Sequence, residues 1–434
     1  MTPVDYGLIG LAAVLIFVFA GLNVGVSMAV IGVVGVMLLR TPGAALQSLS
    51  AIFYDKLNSY DFSVIPMFIL MGQLMFKAGA GEQLYHAAHK WVGHLPGGLA
   101  MATVAACAGF AAISGSAIAT AATIGAVALP EMLKRHYDVR LAAGTVAAGG
   151  TLGILIPPSV TFIIYGILVN ESIGALFIAG IAPGLLLALL FCLVIFLIEM
   201  WRRGESGMIA ERAPWPERLS SLSGIWRTLV LFVLVIGGMF AGVFTPNEAG
   251  AVGSAGALVI GLATRTLGWT QIREALAETV QTSAIVIFII AGAAYLSTFL
   301  TVTRIPFTLA DTVLGLGWSP TAVLVAIMVM YVIAGMVMEI LPVIILTVPI
   351  FAPVVQALGY DLIWFGVLIV LLGQMGMISP PVGINVFVVK SMLRDVSLAE
   401  IFAGSTPFLL AMAVLIALLV VFPDIALFLT RVTL

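Results

Sequence analysis

The sequence predicts an all-α polytopic membrane protein, organised as two inverted repeats that each hold a re-entrant hairpin and a helix broken by Pro-Pro. Three observations lead there. Of the 434 residues, 62% are hydrophobic and 9% charged, whereas a water-soluble domain carries about 25% charged residues. Apolar runs at 7–22, 24–39, 175–198, 228–243 and 405–422 each approach the ~17–25 residues that cross a bilayer as a helix. Finally, Pro130, Tyr137, Asp138, Pro157 and Pro158 recur as Pro353, Tyr360, Asp361, Pro380 and Pro381, each 223 positions further on (353−130, 380−157).

The same offset lays GGTLGILIPPSV at 149–160 over LGQMGMISPPVG at 372–383, which puts Gly150 and Gly153 on Gly373 and Gly376. A duplicated, interrupted helix within apolar sequence points to a secondary transporter, where two such helices meet at the bilayer midplane around substrate and coupling ions. The alternating segments of about ten residues that a β-barrel would show are absent. The net charge of −2 gives no reason to expect a nucleic-acid partner. Cys107 and Cys192 lie in apolar runs, where each is expected to pack as a small hydrophobe with no disulfide framework. The first 22 residues lack a basic segment and a cleavage site, so they read as a retained span.

Each half is expected to contain five crossings. The first repeat, 1–200, places spans near 4–22, 24–40 and 61–77, a hairpin at 97–133, a broken helix at 140–168 and a span at 175–200. A cytoplasmic linker covers 201–226, the only long polar stretch. The second repeat, 227–434, places spans at 227–243, 246–264 and 279–300, a hairpin at 320–356, a broken helix at 362–394 and a span at 405–429. Segments 78–95 and 301–318 mix charge with aromatic or leucine residues, as helices lying in the interface do. An odd number of crossings inverts the second half. With both termini periplasmic, one side receives only Arg40, Lys56, Arg304 and Arg431, and the other receives the remaining fourteen of the 18 Lys and Arg. That asymmetry follows the positive-inside rule.

The chemistry is expected at the hairpin tips and helix breaks. Residues 97–129 are mostly small, which suits close helix packing in lipid. Ser114-Gly115-Ser116 interrupts that pattern and reads as a tip, which at membrane depth must be buried or line a wet cavity. Its free carbonyls and hydroxyls are hard oxygen ligands of the kind a sodium ion takes, and half-helix N-termini suit a carboxylate. The equivalent tip is Gly335 to Glu339, which makes Glu339 an ionisable residue at membrane depth and so a functional candidate.

Proline lacks an N–H and clashes with the preceding turn, so each Pro-Pro forces extended backbone. The expected sodium ligands are Ser114, Gly153, Ile156, Gly335, Gly376, Ser379 and Val382. The substrate is expected near Ser116, Thr151, Pro158, Ser159, Pro381 and Asn385. Neither catalytic nor cofactor-binding residues are expected, because two symmetric tips do not form the single polar cluster an intramembrane enzyme would need. His86, His89, His94 and His136 lack metal-ligand spacing. Glu248 reads as a helix cap. No GxxxxGK[ST] loop occurs, so ATP is not expected to drive the chain directly.

SGSAIATAATIGAVALPEM (114–132), AAGGTLGILIPPSV (147–160), GVFTPNEAGAVG (242–253) and GMISPPVGINVFVVKS (376–391) together resemble the large membrane subunit of tripartite ATP-independent periplasmic (TRAP) transporters, the DctM type. The resemblance covers essentially the whole chain. It implies an elevator-type importer in the inner membrane, with hairpins and broken helices as a mobile transport domain and the other helices as scaffold. It also implies uptake of a small organic acid (a dicarboxylate, sialic acid or sugar acid) coupled to about two sodium ions. The partners implied are a periplasmic substrate-binding protein of the DctP type and a small membrane subunit of the DctQ type, expected as a separate chain. Two departures from the family pattern stand out: Ala117 replaces a frequent second serine, and Gln374 stands where many relatives carry an acid. The nearest rival is a stand-alone sodium-coupled anion transporter of related architecture.

Overall fold

The computed structural model describes residues 2–201, 212–306, 308, 312, 315 and 317–433. Its described elements are helical. In the first half they are α1 (Pro3–Phe19), α2 (Val24–Leu39), α3 (Pro42–Leu57), α4 (Val64–Lys77), α5 (Ala80–Val92), α6 (Gly98–Ser114), α7 (Ala117–Lys134), α8 (Val139–Leu155), α9 (Val160–Val169) and α10 (Ile173–Trp201). In the second they are α11 (Trp215–Phe232, prolonged through a π turn to Phe240), α12 (Pro246–Ala263), α13 (Trp269–Val302), α14 (Pro320–Val337), α15 (Ile340–Ala357), α16 (Leu362–Met377), α17 (Ile384–Met392), α18 (Leu398–Val421) and α19 (Asp424–Thr433).

Capping side chains set many of these starts. Thr2, Asn23, Thr41, Asp138, Thr245, Asp361 and Ser397 each accept a hydrogen bond from a first-turn N–H, which satisfies a donor that the helix itself cannot. Glu248 completes a capping box with Thr245, as expected of it.

By length and apolar character, seven described helices can each cross a membrane, or up to nine spans if two bent pairs each count as one. One bent pair is α8 with α9, at 42°; the chain is a multi-pass membrane protein.

Displacing the first-half elements by 223 lays α7 on Ile340–Ala357, the bounds of α15, and lays α6, α8 and α9 on α14, α16 and α17 within one residue at each end. Packing exchanges in the same way. α2 packs on α13 as α12 packs on α4; α6 packs on α8 as α14 packs on α16; α7 packs on α17 as α15 packs on α9.

The core is occupied by the interrupted helices. Every residue of α8 from 141 to 155 is buried, as are nearly all of α16. Backbones cross closely there: Cβ atoms added to Gly144 or Gly404 would overlap the carbonyls of Gly404 and Arg140, so α8 and α18 approach backbone to backbone at these glycines.

Several boundaries differ from the expectation. α3 was not foreseen: Gln47, Ser48, Ser50, Asp55 and Lys56 dilute its apolar pattern below that of a span, and it stays largely exposed. The linker is shorter than 201–226, because Pro214 and Pro216 start α11 at Trp215 and the helix runs on through the span expected at 227. Residues 202–211 of that linker, and Phe307 with several neighbours in the segment 301–318, lie outside the described residues. α13 begins ten residues before the expected 279, since Gln271 caps Gly268 and the charged turn around Arg273 remains helical.

Candidate transport site

The first tip is built from three residues. α6 stops at Ser114, Gly115 takes the left-handed conformation at φ 60°, and extended Ser116 caps α7 by accepting from Ala119 N–H. The Ser114 and Thr120 hydroxyls are 2.8 Å apart, and Thr120 donates to the Ser116 carbonyl at 2.7 Å. Thr120 Oγ1 thereby has its proton committed, so Ser114 donates to it. Three hard oxygens converge at the tip: Ser114 Oγ, Thr120 Oγ1 and Ser116 O. Gly153 of α8 lies directly against them, since a Cβ there would overlap Ser116 O.

The first break follows the same logic. α8 ends at extended Ile156 (φ −82°, ψ 124°), Pro157–Pro158 is a cis peptide, and Ser159 caps α9 through Phe162 N–H at 3.4 Å. Gly115 packs on this break, with a Cβ at 115 reaching 3.0 Å from the Pro158 carbonyl. Tip and break are one unit.

The second half repeats the backbone arrangement with different side chains. α14 ends at Val337, and Met338 and Glu339 are extended. Gly376 meets the Gly335 backbone where a Cβ would overlap, as Gly153 meets Ser116. Gly383, left-handed at φ 62°, donates from its N–H to Met336 O at 3.4 Å, and Ser379 Oγ donates to Met375 O at 2.7 Å. Glu339 occupies the cap position of α15 without capping it. Pro157 and Pro158 are buried, whereas Pro380 and Pro381 are exposed.

A cavity of about 300 Å³ opens beside the first tip, lined among others by Gln73 of α4, Ser114, Ser116, Thr161 of α9, Glu278 of α13 and Glu339. Of the residues expected at the site, Ser114 and Ser116 line it, and Glu339 joins them from the second hairpin. Thr151, Gly153, Ile156, Pro158, Ser159, Pro381 and Asn385 do not. Thr151 and Ser159 are buried, and the Thr151 hydroxyl is spent on Ala148 O at 2.6 Å. Gly335, Gly376, Ser379 and Val382 belong to the second tip and break and lie off this cavity.

Gln73, Thr161 and Glu278 were missed by sequence reasoning. Gln73 and Thr161 are each a polar residue inside an apolar run, whereas Glu278 lies in the polar stretch just before the span expected at 279–300. Glu278 is held by Lys77 Nζ at 3.0 Å, which also binds Glu274 at 2.9 Å, fastening α4 to α13.

Two buried amides stand apart. Asn385 donates from Nδ2 to Ala147 O at 3.1 Å, but its Oδ1 has no hydrogen-bond partner among the described residues, and Gln374 has none for either amide atom. Such buried groups ordinarily find partners. Ser114 Oγ, Thr120 Oγ1 and Ser116 O at the first tip are hard oxygens of the kind an alkali cation takes. No cluster of three or more His, Cys, Asp or Glu suited to a transition metal occurs among the described residues.

The tripartite ATP-independent periplasmic transporter family, DctM component, matches residues 11–425. The chain belongs to that family. It is 35% identical over 392 residues to the C4-dicarboxylate TRAP transporter large permease protein DctM of Pseudomonas aeruginosa, covering 90% of this chain and 91% of that protein. It is 34% identical to the sialic acid TRAP transporter large permease protein SiaM of Vibrio cholerae, over 95% of both chains. Among solved structures it resembles the YdaH transporter of Alcanivorax borkumensis, with TM-score 0.60, 14% identity, and 90% and 91% of the two chains covered. That likeness concerns the fold alone. These DctM relatives are named as permeases and not as enzymes, and membership in a tripartite family means that this DctM chain works with a small membrane subunit and a periplasmic binding protein.

Proposed function

We propose that the chain is the inner-membrane permease of an importer that moves a small organic acid inward with sodium by an elevator motion. One observation carries the reading: each hairpin tip abuts its own interrupted helix through a glycine that admits no side chain, Gly153 under Ser116 and Gly376 under Gly335. Duplicated tips against duplicated breaks supply two equivalent ion sites and two exchangeable packings. Ser114, Thr120 and the Ser116 carbonyl would hold sodium at the first, and backbone carbonyls around Gly335, Gly376 and Ser379 at the second. Bound sodium would supply positive charge for a carboxylate, since no Lys or Arg lines the cavity among the described residues.

In this reading α1, α2, α4 and α11–α13 form the scaffold, and the hairpins with α8, α9, α16 and α17 form the moving body. Both termini face the periplasm, and the stretch before α11 faces the cytoplasm. The two relatives named above are named for C4-dicarboxylates and for sialic acid, so the substrate is taken as an organic acid of that size range. The test is uptake into proteoliposomes holding this chain and a small membrane subunit, with a periplasmic binding protein outside. Accumulation that requires both an inward sodium gradient and the binding protein supports the reading. Uptake independent of the binding protein would favour a stand-alone anion transporter, and uptake indifferent to sodium would overturn the coupling.

A further inference from the structure

A cleft of about 290 Å³ lies at the end of the molecule where α5 meets α11, well away from the hairpin tips, and is lined by His89, Lys90, Arg135, Arg212, Ala213, Pro214 and Glu217. Its charge is unbalanced. Three cations face one lining carboxylate, Glu217, which pairs with Lys90 at 2.6 Å, while Arg135 is held from outside the cleft by Glu131 at 3.2 Å. Arg212 is exposed and makes no ion pair among the described residues. Burial, and then Arg135, hold the His89 imidazole below its usual pKa.

The walls of the cleft are fixed. Buried Arg218 donates to Ala213 O at 3.0 Å, contacts His94 Nδ1 at 3.3 Å and lies over the Trp215 ring. Trp91 donates to Arg218 O at 3.2 Å and meets Trp215 edge to face, a pair of rings with polar edges suited to a membrane interface. From this point an apolar strip runs along one face of α11 and its continuation. Leu219, Trp226, Val230 and Val233 follow at helical spacing, 44–64% exposed.

We propose that this cleft binds the phosphate of an anionic phospholipid, whose acyl chains lie along Leu219, Trp226, Val230 and Val233. Basic clefts at the membrane–water boundary recognise anionic headgroups. A free anion shares the phosphate chemistry but makes no use of the apolar strip, so the continuity of cleft and strip favours the lipid. Binding would tie α5 to α11, the two helices whose ion pairs and tryptophans close the cleft, and so steady that end of the chain.

The test follows thermal unfolding of the purified full chain in detergent, titrated separately with phosphatidylglycerol, phosphatidylcholine and sodium phosphate. Phosphatidylglycerol should raise Tm saturably and the other two should not. Arg212→Gln and Lys90→Gln should each raise the half-saturating phosphatidylglycerol concentration about fivefold, the loss expected for one basic residue near the surface. Arg431→Gln, at a distant salt bridge, should leave it unchanged. Arg212 is exposed, so its replacement does not threaten folding. An equal shift with phosphatidylcholine, saturation by inorganic phosphate alone, or unaltered half-saturation in both cleft variants would each overturn the proposal.

Discussion

Gly153 lies under the carbonyl oxygen of Ser116 so closely that a Cβ at 153 would overlap it and come within 2.5 Å of Thr120 Oγ1. The contact joins the hairpin tip to the interrupted helix with no side chain between. Gly153→Ala should therefore push the tip off its helix, at the ~1–3 kcal/mol that overpacking costs, and reduce sodium-driven uptake at least tenfold. Gly174→Ala serves as the comparison, since its Cβ would make only ordinary contacts, with Ser172 Oγ at 3.7 Å and the Met239 methyl at 3.9 Å. That variant should transport normally. Normal sodium-dependent uptake by Gly153→Ala would remove the tip from the proposed ion site.

Thr120 separates hydroxyl chemistry from packing. Thr120→Ser keeps the oxygen that links Ser114 Oγ to Ser116 O, whereas Thr120→Val leaves the half-buried Ser114 hydroxyl without that partner, at a cost of about 0.5–1.5 kcal/mol. Sodium half-saturation measured in proteoliposomes should rise strongly for valine and little for serine. Equal values for the two variants would mean that the hydroxyl serves only the fold.

Gln374 and Asn385 give a test with opposite signs for stability and transport. Gln374 is buried with no partner for either amide atom among the described residues, so Gln374→Leu should raise unfolding stability by about 1–3 kcal/mol. Asn385→Leu loses one hydrogen bond but removes an orphaned oxygen, so stability should stay within about 1 kcal/mol while uptake falls. A fall in Tm for Gln374→Leu would show instead that the amide holds a water or ion.

Lys77 bonds two carboxylates one helical turn apart on α13, and its side chain is 18% exposed against 44% and 53% for Glu278 and Glu274. Because the carboxylates are largely solvated, each pair should contribute no more than about 1 kcal/mol. A double-mutant cycle with Lys77→Met and Glu278→Gln, read by chemical unfolding, measures the coupling. Additive effects would show that the Lys77–Glu278 pair does not help hold α4 on α13.

Sidedness is tested with single cysteines at Asp55 and Ser220, both exposed, in a chain carrying Cys107→Ala and Cys192→Ala. An impermeant thiol reagent on intact cells should label position 55, and position 220 only after permeabilisation. The reverse pattern would invert the topology.

The hairpins and broken helices were legible in the sequence because their causes are local. Pro157-Pro158 and Pro380-Pro381 cannot remain helical, and Ser114-Gly115-Ser116 supplies both a left-handed residue and a cap, so breaks and tips follow from residue type. The 223-residue offset was legible for the same reason, since it repeats those signals in order. α3 was not, because Gln47, Ser48, Ser50, Asp55 and Lys56 break the apolar run that would mark a span. Only the tertiary structure decided which polar groups share a cavity. Gln73, Thr161 and Glu278 come from three helices far apart in the chain, and packing brings them to Ser116. It likewise buried Thr151 and Ser159, where the Thr151 hydroxyl donates to Ala148 O and Ser159 Oγ accepts from Phe162 N–H. Local backbone chemistry fixes where a helix must stop, but which side chains then face one another depends on the packing of distant helices, which no short stretch of sequence contains.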